Sequence, residues 1–188
     1  MRGTSARDAD REPRLTADAA ARARRVKMVL MDVDGILSDG SIVFTGAAEE
    51  SKAFDAQDGV AIRLAQRAGL PVGLITGRES AALKRRAAEL KIRELHMNWF
   101  HKEEAYARVL AERRLADADV AFVGDDLVDV PLLKRAGFAA TVPEARPEVI
   151  RLAHFVASRP GGHGAVRQIL DFILKVQGRW ERATRGFI

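Results

Sequence analysis

The chain has 188 residues, enough for one sizeable domain, and is 47% hydrophobic but only 6% aromatic, which points to an aliphatic core. Its net charge of +5 comes from arginines interleaved with Glu and Asp along helical patterns, so it reads as a solvated surface, and no nucleic-acid signature accompanies it. The absence of cysteine excludes disulfides and thiolate metal sites, and no apolar run approaches the ~20 residues that span a bilayer, so no membrane partner and a cytoplasmic location are expected.

Residues 1–14 are polar and charged and read as a disordered extension, followed by one domain over residues 15–188. Thr16 is placed to cap a short Ala/Arg-rich helix ending near Arg25. Short apolar runs then alternate with helical patterns. Val26–Met31, Val72–Ile75, Leu95–Met97, Val120–Val123, Ala139–Val142 and Phe155–Val156 read as buried strands. Val60–Arg67, Ser80–Leu90, Lys102–Arg113, Val130–Ala136 and Gly164–Gln177 read as helices. That alternation predicts an α/β fold, a Rossmann-like doubly wound parallel sheet flanked by helices. Ser41–Thr45 and Ser51–Phe54 break the rhythm and, separated by Gly46 and two alanines, predict a projecting β-hairpin.

The chemistry-bearing residues follow strands, where ligands of open α/β sheets bind. Asp32 and Asp34, in the run DVDG, repel each other when crowded, so a bound cation or a shared proton would relieve them; a polar turn is the plainer alternative. Asp125, Asp126 and Asp129, in GDDLVD, follow another apolar strand. Helix capping accounts for one or two of these acids, and an oxygen-only ligand set at two strand ends suits Mg²⁺. Thr76, Gly77 and Arg78 follow a third strand and can hold phosphoryl oxygens, Arg78 through charge-assisted bonds. Lys102 opens a helix and, beside those acids, could hold phosphate; alone it would be a surface lysine. His101 and His163 lack a second histidine at ligand spacing and read as polar loop residues, His163 within reach of a substrate or a neighbouring subunit.

The order DxD, Thr, Lys, GDDxxD, each after a strand, resembles the four signatures of haloacid dehalogenase-like phosphatases. The runs DVDGILSDG, FDAQDGVAIRLAQRAG, LITGRES, FVGDDLVDVPLLKRAG and GGHGAVRQILDFILKVQG are similar to 3-deoxy-D-manno-octulosonate 8-phosphate phosphatases, over roughly residues 15–188. This resemblance implies a homotetramer without a cap domain, in which hairpins and tails of neighbours close each site. It implies hydrolysis of that sugar-acid phosphate in lipopolysaccharide precursor synthesis, with a different sugar-acid phosphate, or a purely assembling role, as alternatives. Residue by residue it makes Asp32 the nucleophile and a metal ligand, Asp34 the acid/base whose carbonyl meets Mg²⁺, and Asp125 the third ligand, with Asp126 or Asp129 behind them. Thr76 and Lys102 would hold the phosphoryl group. Asp55, Ala56, Gln57, Asp58, Gly59, Arg63, Gly77, Arg78 and Arg86 would contact substrate, alongside Asp34 and Lys102. Two departures bear on the sugar contacts: the bulky run from His96 to His101, and Gln57. The C-terminal segment, ending in Phe187 and Ile188, is expected to be mobile and to cover the site.

Overall fold

Short apolar runs bounded by acids, Gly and Pro form the strands. In the computed structural model, which describes residues 12–45 and 49–188, they are β1 (Arg14–Leu15), β2 (Met28–Met31), β3 (Val43–Thr45), β4 (Glu49–Ser51), β5 (Val72–Ile75), β6 (Glu94–His96), β7 (Val120–Val123), β8 (Phe138–Thr141) and β9 (Phe155–Val156). The helices are α1 (Ala19–Arg25), α2 (Ala56–Arg67), α3 (Ala81–Glu89), α4 (Lys102–Arg113), α5 (Val130–Arg135), α6 (Pro147–Leu152), α7 (Ala165–Val176) and α8 (Trp180–Thr184).

The main sheet runs β1-β9-β8-β7-β2-β5-β6, and every neighbouring pair is parallel except β1 with β9. β2 therefore sits between β5 and β7, where the chain's winding reverses. That switch point is where a doubly wound sheet opens a crevice at its carboxyl ends. The four central strands β2, β5, β7 and β8 are buried along their whole length, because helices cover both faces. α1 and α2 pack on α7, and α4, α5 and α6 form the other layer. α7 supplies the widest apolar stripe, with Val166, Ile169, Leu170, Ile173 and Leu174 all buried.

Among the described residues, the segment between β2 and α2 holds only the hairpin of β3 and β4, paired Val43 to Ser51 and Thr45 to Glu49. Its expected turn at Gly46 and the two alanines lies outside the described residues. Ile42, Val43 and Phe44 are exposed on it, Phe44 by 71%. No helix among the described residues is long and apolar enough to cross a membrane.

Three departures from the sequence reading have physical causes. Residues 1–11 lie outside the described residues, but Arg14 pairs with Val156, so the boundary expected after Arg14 falls earlier; a strand this short carries no periodicity to read. The helix near Thr16 starts only at Ala19, with Asp18 at its cap position and the Thr16 hydroxyl donating to Asp18 Oδ1 (2.7 Å). α6 and α8 escaped the reading because each spans less than two turns, although Pro147 at the first turn of α6 is a recognisable start.

Candidate active site

β2 and β7 end side by side, and each hands the chain to an acidic turn. Asp32 leaves β2 with its N–H bonded to Val123 O at 2.9 Å, so its position is set by the sheet ladder itself. The next turn needs Gly35, whose φ is +90°. A Cβ there would come within 2.7 Å of Asp125 Cγ, so the DxDG and GDD segments can meet only across a glycine. Gly124 serves the other side: a Cβ would overlap Asp129.

Asp129 is fully buried and accepts from donors at both oxygens. Its Oδ1 takes Lys102 Nζ at 2.7 Å; its Oδ2 takes the N–H groups of Asp125 (3.0 Å) and Asp126 (3.3 Å). Lys102 Nζ also lies 2.8 Å from Asp32 Oδ1. Burial would lower the Lys102 ammonium, but Asp32 and Asp129 hold it above the usual lysine range, so it stays charged. Of the two acids expected behind the ligands, Asp129 is the one buried against Lys102 and the Asp125 N–H; Asp126 is exposed and caps the 3-10 turn Leu127–Asp129 by accepting from Leu127 N (2.7 Å).

One oxygen each of Asp32, Asp125 and Asp129 lies within 4.8 Å of the others. Burial and the charge of Asp129 push Asp32 up to about 7, and burial with the charge of Asp32 pushes Asp125 up to about 7. Three carboxylates against one ammonium leave two negative charges uncompensated. Asp125 Oδ1 is buried without a hydrogen-bond partner, while the Asp129 oxygens are both engaged. A divalent, oxygen-seeking ion fits that deficit, with Asp125 and Asp32, whose Oδ1 also meets Lys102, the carboxylates that would hold it.

The cleft above these groups is about 950 Å³. Thr76 at the end of β5 lines it with Gly77 and Arg78, and the Arg78 N–H donates to Thr76 Oγ1 at 3.2 Å. Asp34 faces the same space. Its Oδ1 is bonded by Lys52 Nζ, and Ser38 Oγ lies 3.4 Å from it. Lys52 Nζ is also 2.7 Å from Glu50 Oε1, and Glu50 Oε2 accepts Arg78 Nη2 at 2.7 Å, so the base of the hairpin is latched to two strand ends. Sequence reasoning missed Glu50 and Lys52; a Glu-x-Lys pair in an exposed hairpin carries no signal until the hairpin is folded back. It likewise missed Asp39, Ser41, Phe100 and Glu144, which also line the cleft.

The expected phosphoryl residues Asp32, Asp34, Thr76, Gly77, Arg78, Lys102 and Asp125 thus converge, and His163 joins them at the rim. His101 stands at the start of α4 without a side-chain cap bond. The expected sugar contacts at 55–63 and at Arg86 do not join them within the chain. Asp55 caps α2, accepting from Gln57 N (2.6 Å) and Asp58 N (3.1 Å). Asp58 is buried and accepts from Gly164 N (3.2 Å) and Arg167 N (2.7 Å), which ties α2 to the start of α7. Ala56, Gly59, Arg63 and Arg86 line a separate groove between α2 and α3, where Arg86 Nη2 donates to Asp55 O at 3.1 Å. Arg86 packs over Gly59, where a Cβ would lie 3.1 Å from Arg86 Cζ and displace the guanidinium.

The tail does not reach the cleft of its own chain. α7 runs alongside α2 toward the amino ends of the strands, so the tail emerges on the far side from the cleft. Arg67 Nη2 donates to Arg185 O (2.6 Å), Arg67 lies 5.5 Å from the Phe187 ring centroid, and Arg179 reaches Gly69 O. Within one chain Phe187 and Ile188 leave the cleft uncovered.

A metal-assisted phosphohydrolase is the class this switch-point constellation defines, and residues 93–169 match the haloacid dehalogenase-like hydrolase family. Over 169 residues the chain is 38% identical to the 3-deoxy-D-manno-octulosonate 8-phosphate phosphatase KdsC of Escherichia coli K12, covering 90% of each. The crystal structure of the phosphatase of that name from Yersinia pestis matches with a TM-score of 0.86 at 38% identity, over 88% of this chain and 89% of that one. The Moraxella catarrhalis phosphatase, solved with a magnesium ion, a phosphate ion and a KDO molecule, matches with a TM-score of 0.89 at 33% identity, over 92% of this chain and all (100%) of that one. The chain belongs to the 3-deoxy-D-manno-octulosonate 8-phosphate phosphatase family of haloacid dehalogenase-like hydrolases.

Proposed function

We propose that this chain hydrolyses 3-deoxy-D-manno-octulosonate 8-phosphate to the free sugar acid and phosphate, a step in making lipopolysaccharide precursors. The observation that carries the reading is the Asp32 carboxylate at the switch point, 2.8 Å from a buried lysine and beside the unpartnered Asp125 oxygen. Asp32, the Asp34 carbonyl and Asp125 would hold Mg²⁺, which when bound supplies positive charge to the phosphoryl oxygens.

Asp32 attacks phosphorus and becomes the aspartyl-phosphate as the sugar oxygen leaves. Lys102, held by Asp32 and Asp129, keeps a cation against the equatorial oxygens. The Thr76 hydroxyl and the N–H groups of the loop after it orient the phosphoryl group. Asp34 gives its proton to the departing oxygen, then takes one from the water that opens the acyl phosphate. Arg78, partly exposed at the rim and paired with Glu50, would offer its charge to an anionic sugar acid. The chain is proposed to work as a homotetramer assembled through the hairpin, whose exposed Ile42, Val43 and Phe44 support burial against a neighbour, and whose neighbour would supply the cover that this chain's own tail does not.

Phosphate release from a panel of sugar-acid phosphates, with Asp32→Asn as the control, tests the reading. The eight-carbon 8-phosphate is expected to have the highest kcat/KM, and Asp32→Asn to abolish turnover while keeping the wild-type fold. Retained turnover in Asp32→Asn refutes the nucleophile. Higher kcat/KM for another sugar acid refutes the substrate, and no turnover of any ester by wild type would leave assembly as the role.

A further inference from the structure

We propose that Lys52, on the hairpin, is the positioning residue for Asp34, fixing which of its oxygens handles the leaving-group proton. A carboxyl group that gives a proton and then takes one needs one oxygen aimed at the reacting atom and the other held. The Lys52 ammonium bonds Asp34 Oδ1, and Ser38 Oγ stands 3.4 Å from that same oxygen. A proton on Oδ1 would face an ammonium that can only donate. Oδ1 is thus the held oxygen, and Oδ2 is the one left to face the departing group.

Lys52 is itself held. Its side chain is inaccessible to solvent, and Glu50 Oε1 lies 2.7 Å from Nζ. Glu50 is anchored by Arg78, one residue beyond the Gly77 turn of the phosphoryl loop. The relay Arg78–Glu50–Lys52–Asp34 thus joins two strand ends through the hairpin, so placing the hairpin places the acid. A neutral surface latch would need only one ion pair at the hairpin's base. Of the two acids that compensate the buried Lys52 ammonium, Glu50 ties it to the hairpin and Arg78, and Asp34 is the one that reaches the chemistry.

The inference rests on the reading above, that Asp34 protonates the leaving oxygen, and it predicts a dependence on the leaving group. An alkoxide must be protonated as it departs, whereas p-nitrophenolate leaves without help. The experiment compares wild type, Lys52→Met and Lys52→Arg in the full chain with Mg²⁺. It uses steady-state turnover of 3-deoxy-D-manno-octulosonate 8-phosphate and the first-turnover burst of p-nitrophenolate from p-nitrophenyl phosphate. Lys52→Met is expected to lower kcat for the sugar phosphate by roughly 10²-fold with KM within about twofold, while the burst rate falls at least about tenfold less. Lys52→Arg, which keeps the cation, is expected to recover most of the loss. Equal losses on both substrates, a rise in KM alone, unchanged kcat, or equal losses in the Met and Arg variants would each overturn the assignment. A wild-type enzyme that turns over neither ester would instead overturn the underlying reading of the site.

Discussion

Replacing Asp129 by Asn removes one charge and almost no volume, and the site makes the cost calculable. Every partner of the Asp129 carboxylate is a donor: the Lys102 ammonium on Oδ1, and the Asp125 and Asp126 N–H groups on Oδ2. An amide has one acceptor oxygen, so either orientation turns its NH₂ group against a buried donor. Leaving such a donor unsatisfied costs ~1–3 kcal/mol, and more for an ammonium, so we take about 3 kcal/mol. At roughly 2–4 °C per kcal/mol for a chain of this size, the melting temperature should drop by about 6–12 °C. The loss of negative charge beside Asp32 and Asp125 offsets part of this in the metal-free protein. The full drop is therefore expected only with Mg²⁺, measured by thermal unfolding of both proteins with Mg²⁺ and with chelator. Catalysis should suffer too, because Lys102 loses the contact that aims it. A variant melting within about 2 °C of wild type in Mg²⁺, with undiminished kcat, would refute the view that Asp129 organises the lysine and the GDD turn.

The crowded acids also set a pH dependence. Burial and the charge of Asp129 push Asp32 up to about 7, and burial and the charge of Asp32 push Asp125 up to about 7, far above their unfolded value, so the folded metal-free state binds more protons between about pH 4 and 7 and its stability should fall as pH rises through that window. Asp58, pushed up to about 6 by burial, adds to the fall but lies outside the metal site. Because Mg²⁺ competes with protons for Asp32 and Asp125, the rise in melting temperature it produces should grow across the same window; a metal-induced shift that is constant from about pH 5 to 7.5 would contradict this. Light scattering of the wild type should give about four times the 20.6 kDa chain mass, with Phe44→Ser moving the population toward smaller species; a monodisperse wild-type monomer at micromolar concentration excludes the hairpin assembly.

Much of the fold was legible because the central strands are short, almost wholly apolar runs. VAFV can be read as a buried parallel strand without any knowledge of its neighbours, and β7 occupies those four residues. Likewise α4 begins at Lys102 and ends at Arg113 as its pattern predicts, because Glu103 and Glu104 mark its first turn and the chain turns left-handed at Arg114. The reactive acids were legible for the same reason, since a carboxylate immediately after such a strand has nowhere to point but the sheet's carboxyl edge. What stayed hidden depends on pairings distant in sequence: the Arg14–Val156 bridge, and the hairpin's Lys52 folding back 18 residues to Asp34.

The motifs most specific to the family carry a different lesson. In FDAQDGVAI, Asp58 and Gly59 are expected to contact substrate only because the resemblance to the family implies it. In the fold they serve architecture: Asp58 binds the two N–H groups that open α7, and Gly59 lets Arg86 approach α2. The same α7 start carries the GGHGAVR motif. Gly162 N donates to Ile36 O at 2.9 Å, and a Cβ on Gly161 would strike the Gly35 carbonyl. Asp58 thus fixes the glycine loop, the loop braces the Asp34–Gly35 turn, and Gly35 makes room for Asp125. These two segments thus hold the shape of the turn that carries Asp32 and Asp34. A substrate role for residues 55–59 would then need a neighbouring chain, as in the hairpin assembly proposed above.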